Sequence, residues 1–159
     1  MQYIGEVRNN RSITVFNEQH EELGALIYTS FFSNRAQITT SDNAMYDVMP
    51  TGFWLNKVEI TQNGVPYASV KYKLGNGANI FFENGVSLTL RLKSIWRYEY
   101  SVLDSDEQEI GNVYVSFKWR TFRYTYEINL SSTTHESRMN IMLPFLLAYC
   151  TESIRLRRR

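Results

Sequence analysis

Met139-Asn140-Ile141-Met142-Leu143-Pro144-Phe145-Leu146-Leu147-Ala148-Tyr149-Cys150 is the stretch that decides the fold. A helix made from it is apolar on nearly every side rather than along one stripe, so it belongs inside something. It is much shorter than the roughly 20 apolar residues that cross a bilayer, so a transmembrane segment is not expected. Upstream, Ser131, Ser132, Thr133 and Thr134 form a polar loop of N-cap residues, and Glu136 follows Thr133 at capping-box spacing. The spacing predicts a helix that begins near His135 and covers about 136–154. Pro144 removes one helical hydrogen bond, which predicts a bend there or a later start at Leu143. The tail Arg155, Leu156, Arg157, Arg158 and Arg159 must emerge into water.

The residues before this helix read as strands bounded by turn-forming clusters. Val113, Val115, Phe117 and Trp119 alternate with Tyr114, Ser116, Lys118 and Arg120, which predicts one inward and one outward set. Val86, Leu88, Leu90 and Leu92 alternate in the same way with Ser87, Thr89, Arg91 and Lys93. So do Tyr124, Tyr126, Ile128 and Leu130 with Arg123, Thr125, Glu127 and Asn129. Asn63-Gly64 between segments 58–62 and 65–74, and Asn84-Gly85 between 80–83 and 86–93, predict type I′ hairpins. Gly75-Asn76-Gly77 marks a further reversal, and Pro66 sits at a strand start, where a missing donor is tolerated.

A repeat organises these hairpins. Phe16-Asn17-Glu18-Gln19-His20-Glu21-Glu22-Leu23-Gly24 matches Leu103-Asp104-Ser105-Asp106-Glu107-Gln108-Glu109-Ile110-Gly111 as apolar, turn residue, acidic polar stretch, apolar, glycine. Ile60-Thr61-Gln62-Asn63-Gly64-Val65 is a shorter relative with a tighter turn. The glycine relieves crowding where the second strand bends into the sheet. Asp104, Asp106 and Glu107 lack the glycine and bidentate glutamate spacing of an EF-hand calcium loop.

Bulk composition agrees with a single β-rich domain over residues 1–159. The chain has 43% hydrophobic and 14% aromatic residues, including 11 Tyr and 9 Phe, which suit pleated surfaces. A net charge of +1 gives no global field towards nucleic acid, and no nucleic-acid partner is expected. The single Cys150 makes no internal disulfide and reads as a small hydrophobe. Met1 to Arg8 contain no apolar signal-peptide core, so a cytoplasmic location, peripheral to a membrane at most, is expected. Ten to twelve strands followed by an apolar helix have an economical solution: a mainly β, closed antiparallel barrel of about 12 strands enclosing the helix. A helix over 137–154 spans about 27 Å, comparable with a barrel's height.

The repeated unit, the succession of hairpins and the terminal helix together resemble the tubby C-terminal-like superfamily. It includes the tubby domain, phospholipid scramblases, LURP-one-related proteins and short bacterial relatives. The resemblance implies a twelve-stranded barrel around a hydrophobic C-terminal helix, and phosphoinositide binding. It assigns no individual lipid-binding residue.

No residue pattern supports an enzyme. His20 and His135 have no ligand-spaced partner for a metal, serine stands in no nucleophile elbow, and no glycine-rich phosphate loop occurs, so no cofactor is expected. The candidate ligand-binding residues are Arg91, Lys93 and Arg97, near Trp96 and Tyr98, together with Lys118, Arg120 and Arg123, around Trp119 and Tyr124. Brought together, they make a basic patch with interleaved aromatics that suits phosphate groups; held apart, they are a solvated exterior balanced by Glu83, Glu99 and Glu127. The leading expectation is a non-catalytic binding or scaffold module for anionic lipid headgroups. The alternatives are a protein-interaction module presenting Trp54, Trp96 or Trp119, and a lipocalin-like carrier, which needs an empty bore. The arginine tail reads either as an attraction to anionic membrane or as a polar stop for the helix.

Overall fold

In the computed structural model, residues 1–9, 11–30, 33–74, 77–131 and 137–157 are described, with side chains from 141 onward in the last segment. The strands are β1 (Gln2–Arg8), β2 (Ser12–Phe16), β3 (Glu22–Tyr28), β4 (Ala36–Thr40), β5 (Met45–Thr51) and β6 (Lys57–Gln62). They continue as β7 (Val65–Lys73), β8 (Gly77–Phe82), β9 (Ser87–Ser94), β10 (Glu99–Leu103), β11 (Glu109–Lys118) and β12 (Arg123–Leu130). Each pairs antiparallel with its sequence neighbours, and β1 also pairs with β12, closing a twelve-stranded barrel. An even strand count lets a simple meander close antiparallel, and closure removes both sheet edges.

The expected alternation holds along the strands: Ile13 and Val15, Val58 and Ile60, Leu88 and Leu90, Val113 and Val115, and Tyr126 and Ile128 are all buried. They face α1 (Ser137–Arg157), which crosses the interior. Every residue from Met142 to Thr151 is buried, so the helix is enclosed on all sides. Its 21 residues span about 31 Å, longer than the 136–154 expected from the sequence. It continues through Pro144 rather than starting at Leu143. Contact around the whole circumference outweighs the one hydrogen bond that proline removes. The capping residues Thr133 and Glu136, His135, the turn residues Gly75 and Asn76, and Arg158 and Arg159 lie outside the described residues.

The helix runs off-centre, nearest to β1, β2, β3 and β12. Gly24 on β3 shows how this is permitted. Its φ of +144° is one that L side chains rarely adopt, and a Cβ there would overlap the Thr39 carbonyl and lie 3.1 Å from Phe145 Cζ. The missing side chain is what leaves room for the Phe145 ring.

The repeat is a structural unit with three copies. In each, one extra residue bulges from the second strand: Leu23 against Val15 and Phe16, Tyr67 against Ile60 and Thr61, and Ile110 against Val102 and Leu103. The carbonyls of Leu23, Tyr67 and Ile110 accept from Ser41, Glu83 and Ser131 at 2.8, 3.0 and 2.7 Å. At the opposite end, Tyr28, Tyr72 and Val115 donate to Arg11, Asn56 and Tyr98 at 2.7, 2.9 and 3.0 Å. The bulges recur after four strands, so the barrel has approximate threefold symmetry. Its units are β2–β5, β6–β9 and β10–β12 completed by β1.

The turns divide by chemistry. Asn17 Oδ1 accepts from the amides of Gln19 and Glu21 at 3.0 and 2.9 Å, and Asp104 Oδ1 accepts from Asp106 and Gln108 at 2.9 Å each. Asp104 is thus a turn former. Asn63 and Gly64 both have positive φ, the expected type I′ turn. Asn84-Gly85 differs. Only Gly85 has positive φ, and Gly85 N donates to Phe82 O, giving a three-residue loop in place of a type I′ turn.

Candidate functional site

In an up-and-down barrel, connections alternate between the two ends. Those after odd-numbered strands share one rim, where the C-terminal end of α1 also emerges, because β12 leads back to the other end. This rim carries all three tryptophans of the chain: Trp54, Trp96 and Trp119 are 83%, 94% and 76% exposed. Phe53, Leu55, Leu74, Ile95, Tyr98 and Phe122 are exposed beside them. Trp119 therefore departs from the inward set expected for it. Strand β11 ends at Lys118, and Trp119 belongs to the hairpin tip.

The rim backbone is unusual. Trp54, Leu55, Tyr98 and Phe122 have φ of 66°, 53°, 47° and 52°. Bulky residues in this region are outliers, each costing of order 1–3 kcal/mol. At the opposite end the positive-φ positions are His20, Asn43, Asn63, Gly64, Gly85 and Glu107, mostly turn-forming types.

The six candidate basic residues separate into two groups. Arg91 and Lys93, on the outer face of β9, are ion-paired: Arg91 with Glu107 at 3.5 Å, and Lys93 with Glu99 at 3.5 Å and Glu109 at 3.4 Å. Strand β10 lies between β9 and β11, and the acids that pair with Arg91 and Lys93 come from β10, β11 and the turn that joins them. Arg97 lies in the β9–β10 tip, and Lys118, Arg120 and Arg123 lie in and beside the β11–β12 tip, the next one round the rim. These four are exposed and form no ion pair among the described residues. Sequence reasoning named Trp54 only as a residue presented to a protein partner and missed Phe53, Leu55 and Leu74, although Phe53-Trp54-Leu55 between two strand patterns is itself an anomalous turn.

The helix end is fastened to the mouth of the barrel. Tyr126 donates to Glu152, which also accepts from Arg155 Nε at 3.0 Å and Nη2 at 2.9 Å. The Arg155 guanidinium lies 3.8 Å from the Tyr124 ring centroid, and Arg157 lies 4.1 Å from that of Tyr72. Arg157 also donates to the Leu55 carbonyl, tying α1 to the β5–β6 turn. These contacts assign Arg155 and Arg157 to holding the helix in place. Burial, then the nearby Glu152, pushes the Tyr126 phenol well above its ordinary range, and burial pushes the Cys150 thiol up to about 12. A cavity of about 410 Å³ opens beside the helix end between the β1–β2 and β3–β4 connections, lined by Arg11, Tyr28, Asn34 and Glu152 among others.

Charge is segregated along the axis. The connections of the aromatic rim contain Arg11, Arg35, Arg97 and Arg120 and no acidic residue. Those joining β2–β3, β4–β5, β8–β9 and β10–β11 at the other end contain Glu18, Glu21, Asp42, Glu83, Asp104, Asp106 and Glu107 and no lysine or arginine. Among the described residues no helix is long and apolar enough to cross a membrane.

Together these features define a closed antiparallel barrel filled by its own terminal helix, with one acidic end and one basic, aromatic end. An X-ray structure of a protein from Arabidopsis thaliana is similar, with a TM-score of 0.53 and 7% identity over 91% of this chain and 90% of that one. At that identity the likeness shows the fold. No protein-family model matches the sequence, and no curated protein matches it.

Proposed function

We propose that this chain is a non-catalytic, tubby-like module that binds anionic phospholipid headgroups at its basic rim. The observation that carries the reading is the placement of Arg97, Lys118, Arg120 and Arg123, unpaired among the described residues, on two adjacent tips that also expose Trp96, Tyr98, Trp119 and Phe122. Arginine forks suit phosphate oxygens, and basic residues near an anionic leaflet contribute about 1 kcal/mol each. The occupied bore favours a surface ligand over one held inside, as a lipocalin-like carrier would hold it. The resemblance to tubby-like proteins points the same way.

Flotation with phosphatidylcholine vesicles, with and without phosphatidylserine or phosphoinositide, tests this. Binding should require anionic lipid and weaken with salt. Replacing Arg97, Lys118, Arg120 and Arg123 together with serine should reduce it by about two orders of magnitude or more. Replacing Arg91 and Lys93 should do much less, because their charges are already paired. No flotation at low salt would refute the reading.

A further inference from the structure

We infer that the barrel docks end-on, its axis along the membrane normal, with the aromatic arc of the rim inserted among the headgroups and the acidic end turned away. This rests on the lipid-binding reading and adds the orientation and the inserted residues to it.

The arc extends beyond the basic tips. Exposed apolar residues occur in four successive rim connections: Phe53, Trp54 and Leu55 after β5, Leu74 after β7, Ile95 and Trp96 after β9, and Trp119 and Phe122 after β11. In a ring of twelve strands, the β5–β6 and β11–β12 turns are six strands apart, so Trp54 and Trp119 stand on opposite sides of the mouth. A flat surface laid against the barrel wall reaches one of them. Only a surface laid across the mouth reaches both.

Two independent observations favour a membrane as that surface. The first is electrostatic: a rim whose connections carry four arginines and no acid, opposite connections that carry seven acids and no lysine or arginine, aligns the long axis with the field of an anionic leaflet, which attracts one end and repels the other. The second is the side-chain chemistry, since tryptophan and other aromatics flanked by arginine and lysine suit the headgroup level, where an apolar body and a polar tip are both satisfied. Folding alone does not account for the arc. It leaves large apolar side chains in water, several on positive-φ backbone, where the opposite end mostly uses asparagine and glycine.

The tryptophans are the reporters. Variants retaining one tryptophan each, the other two replaced by phenylalanine, are mixed with phosphatidylserine/phosphatidylcholine vesicles whose acyl chains carry bromine at defined depths. End-on docking predicts that Trp54, Trp96 and Trp119 all shift to the blue and are all quenched to similar extents, and that Trp54→Ser weakens vesicle partition by about tenfold. Vesicle binding with quenching of Trp96 and Trp119 but not Trp54 would overturn the end-on orientation while leaving the lipid-binding reading intact. No vesicle binding by any variant or by the parent would remove both, and would leave the arc to a protein partner.

Discussion

Gly24 links the barrel wall to the central helix at a single residue. A methyl group there would meet the β4 backbone at Thr39 and Thr40 as well as the Phe145 ring, at a φ that already disfavours L side chains. Gly64 provides the comparison: its φ of +78° is also positive, but a methyl group added there would have nothing within 4 Å. Gly64→Ala should therefore cost about 1–2 kcal/mol, the backbone strain alone. Gly24→Ala should cost about 3–5 kcal/mol, because strain, overpacking and displacement of the central helix all act together. Urea unfolding of the two variants separates these contributions. Equal losses would mean that the helix does not bear on β3 at this point.

The hairpin is the element that repeats, and in two of its three copies the turn is set by one side-chain oxygen. Asn17 and Asp104 each hold two backbone amides, and Asn17 N and Asp104 N donate to Glu21 O and Gln108 O at 3.0 and 2.9 Å. Asn17→Ala and Asp104→Ala should each lower stability by about 1–2 kcal/mol, while Asp104→Asn should be nearly neutral, since the amide oxygen can accept the same bonds. A thermal denaturation series checks this; a large loss in Asp104→Asn would show that the charge matters beyond the turn. This element is readable in the sequence because its acceptor, acidic stretch and glycine follow in fixed order. The type of the Asn84-Gly85 turn is not, because that dipeptide also serves a three-residue loop, and the choice depends on where Phe82 and Val86 pair. Trp119 reads as inward because strict alternation runs on past Phe117, and nothing in Trp119-Arg120-Thr121-Phe122 carries ordinary turn chemistry. The exposed aromatics and the missing turn residues are one fact, and together they mark the rim. Of the basic candidates, Arg97, Lys118, Arg120 and Arg123 share that rim, while Lys93 pairs with Glu99, one of the balancing acids the sequence already offers, and the pairing of Arg91 with Glu107 and of Lys93 with Glu109 depends on the β9–β10–β11 register, which sequence proximity does not reveal.

At the scale of the whole molecule, the approximate threefold repeat explains why closure depends on β1. The third unit has only β10, β11 and β12 in sequence, and its fourth strand comes from the start of the chain, where β1 pairs with both β12 and β2. That strand also lies on the side where α1 approaches the wall most closely. A chain lacking residues 1–9 should therefore have two open edges and a gap of about two inter-strand spacings, roughly 10 Å, directly over the helix. Water should then reach the 142–151 backbone, so amide exchange there should speed up by orders of magnitude, and the open edges should promote self-association visible by sedimentation. Such a loss could reflect general unfolding, so the decisive step is addition of a synthetic peptide of residues 1–9. If the remaining strands keep their curvature, the peptide should dock between β12 and β2, restore slow exchange in α1 and dissolve the associated species. Unchanged protection of α1 in the truncated chain would show instead that eleven strands enclose the helix unaided, and that the pairing of β1 with β12 is a seam the core does not need.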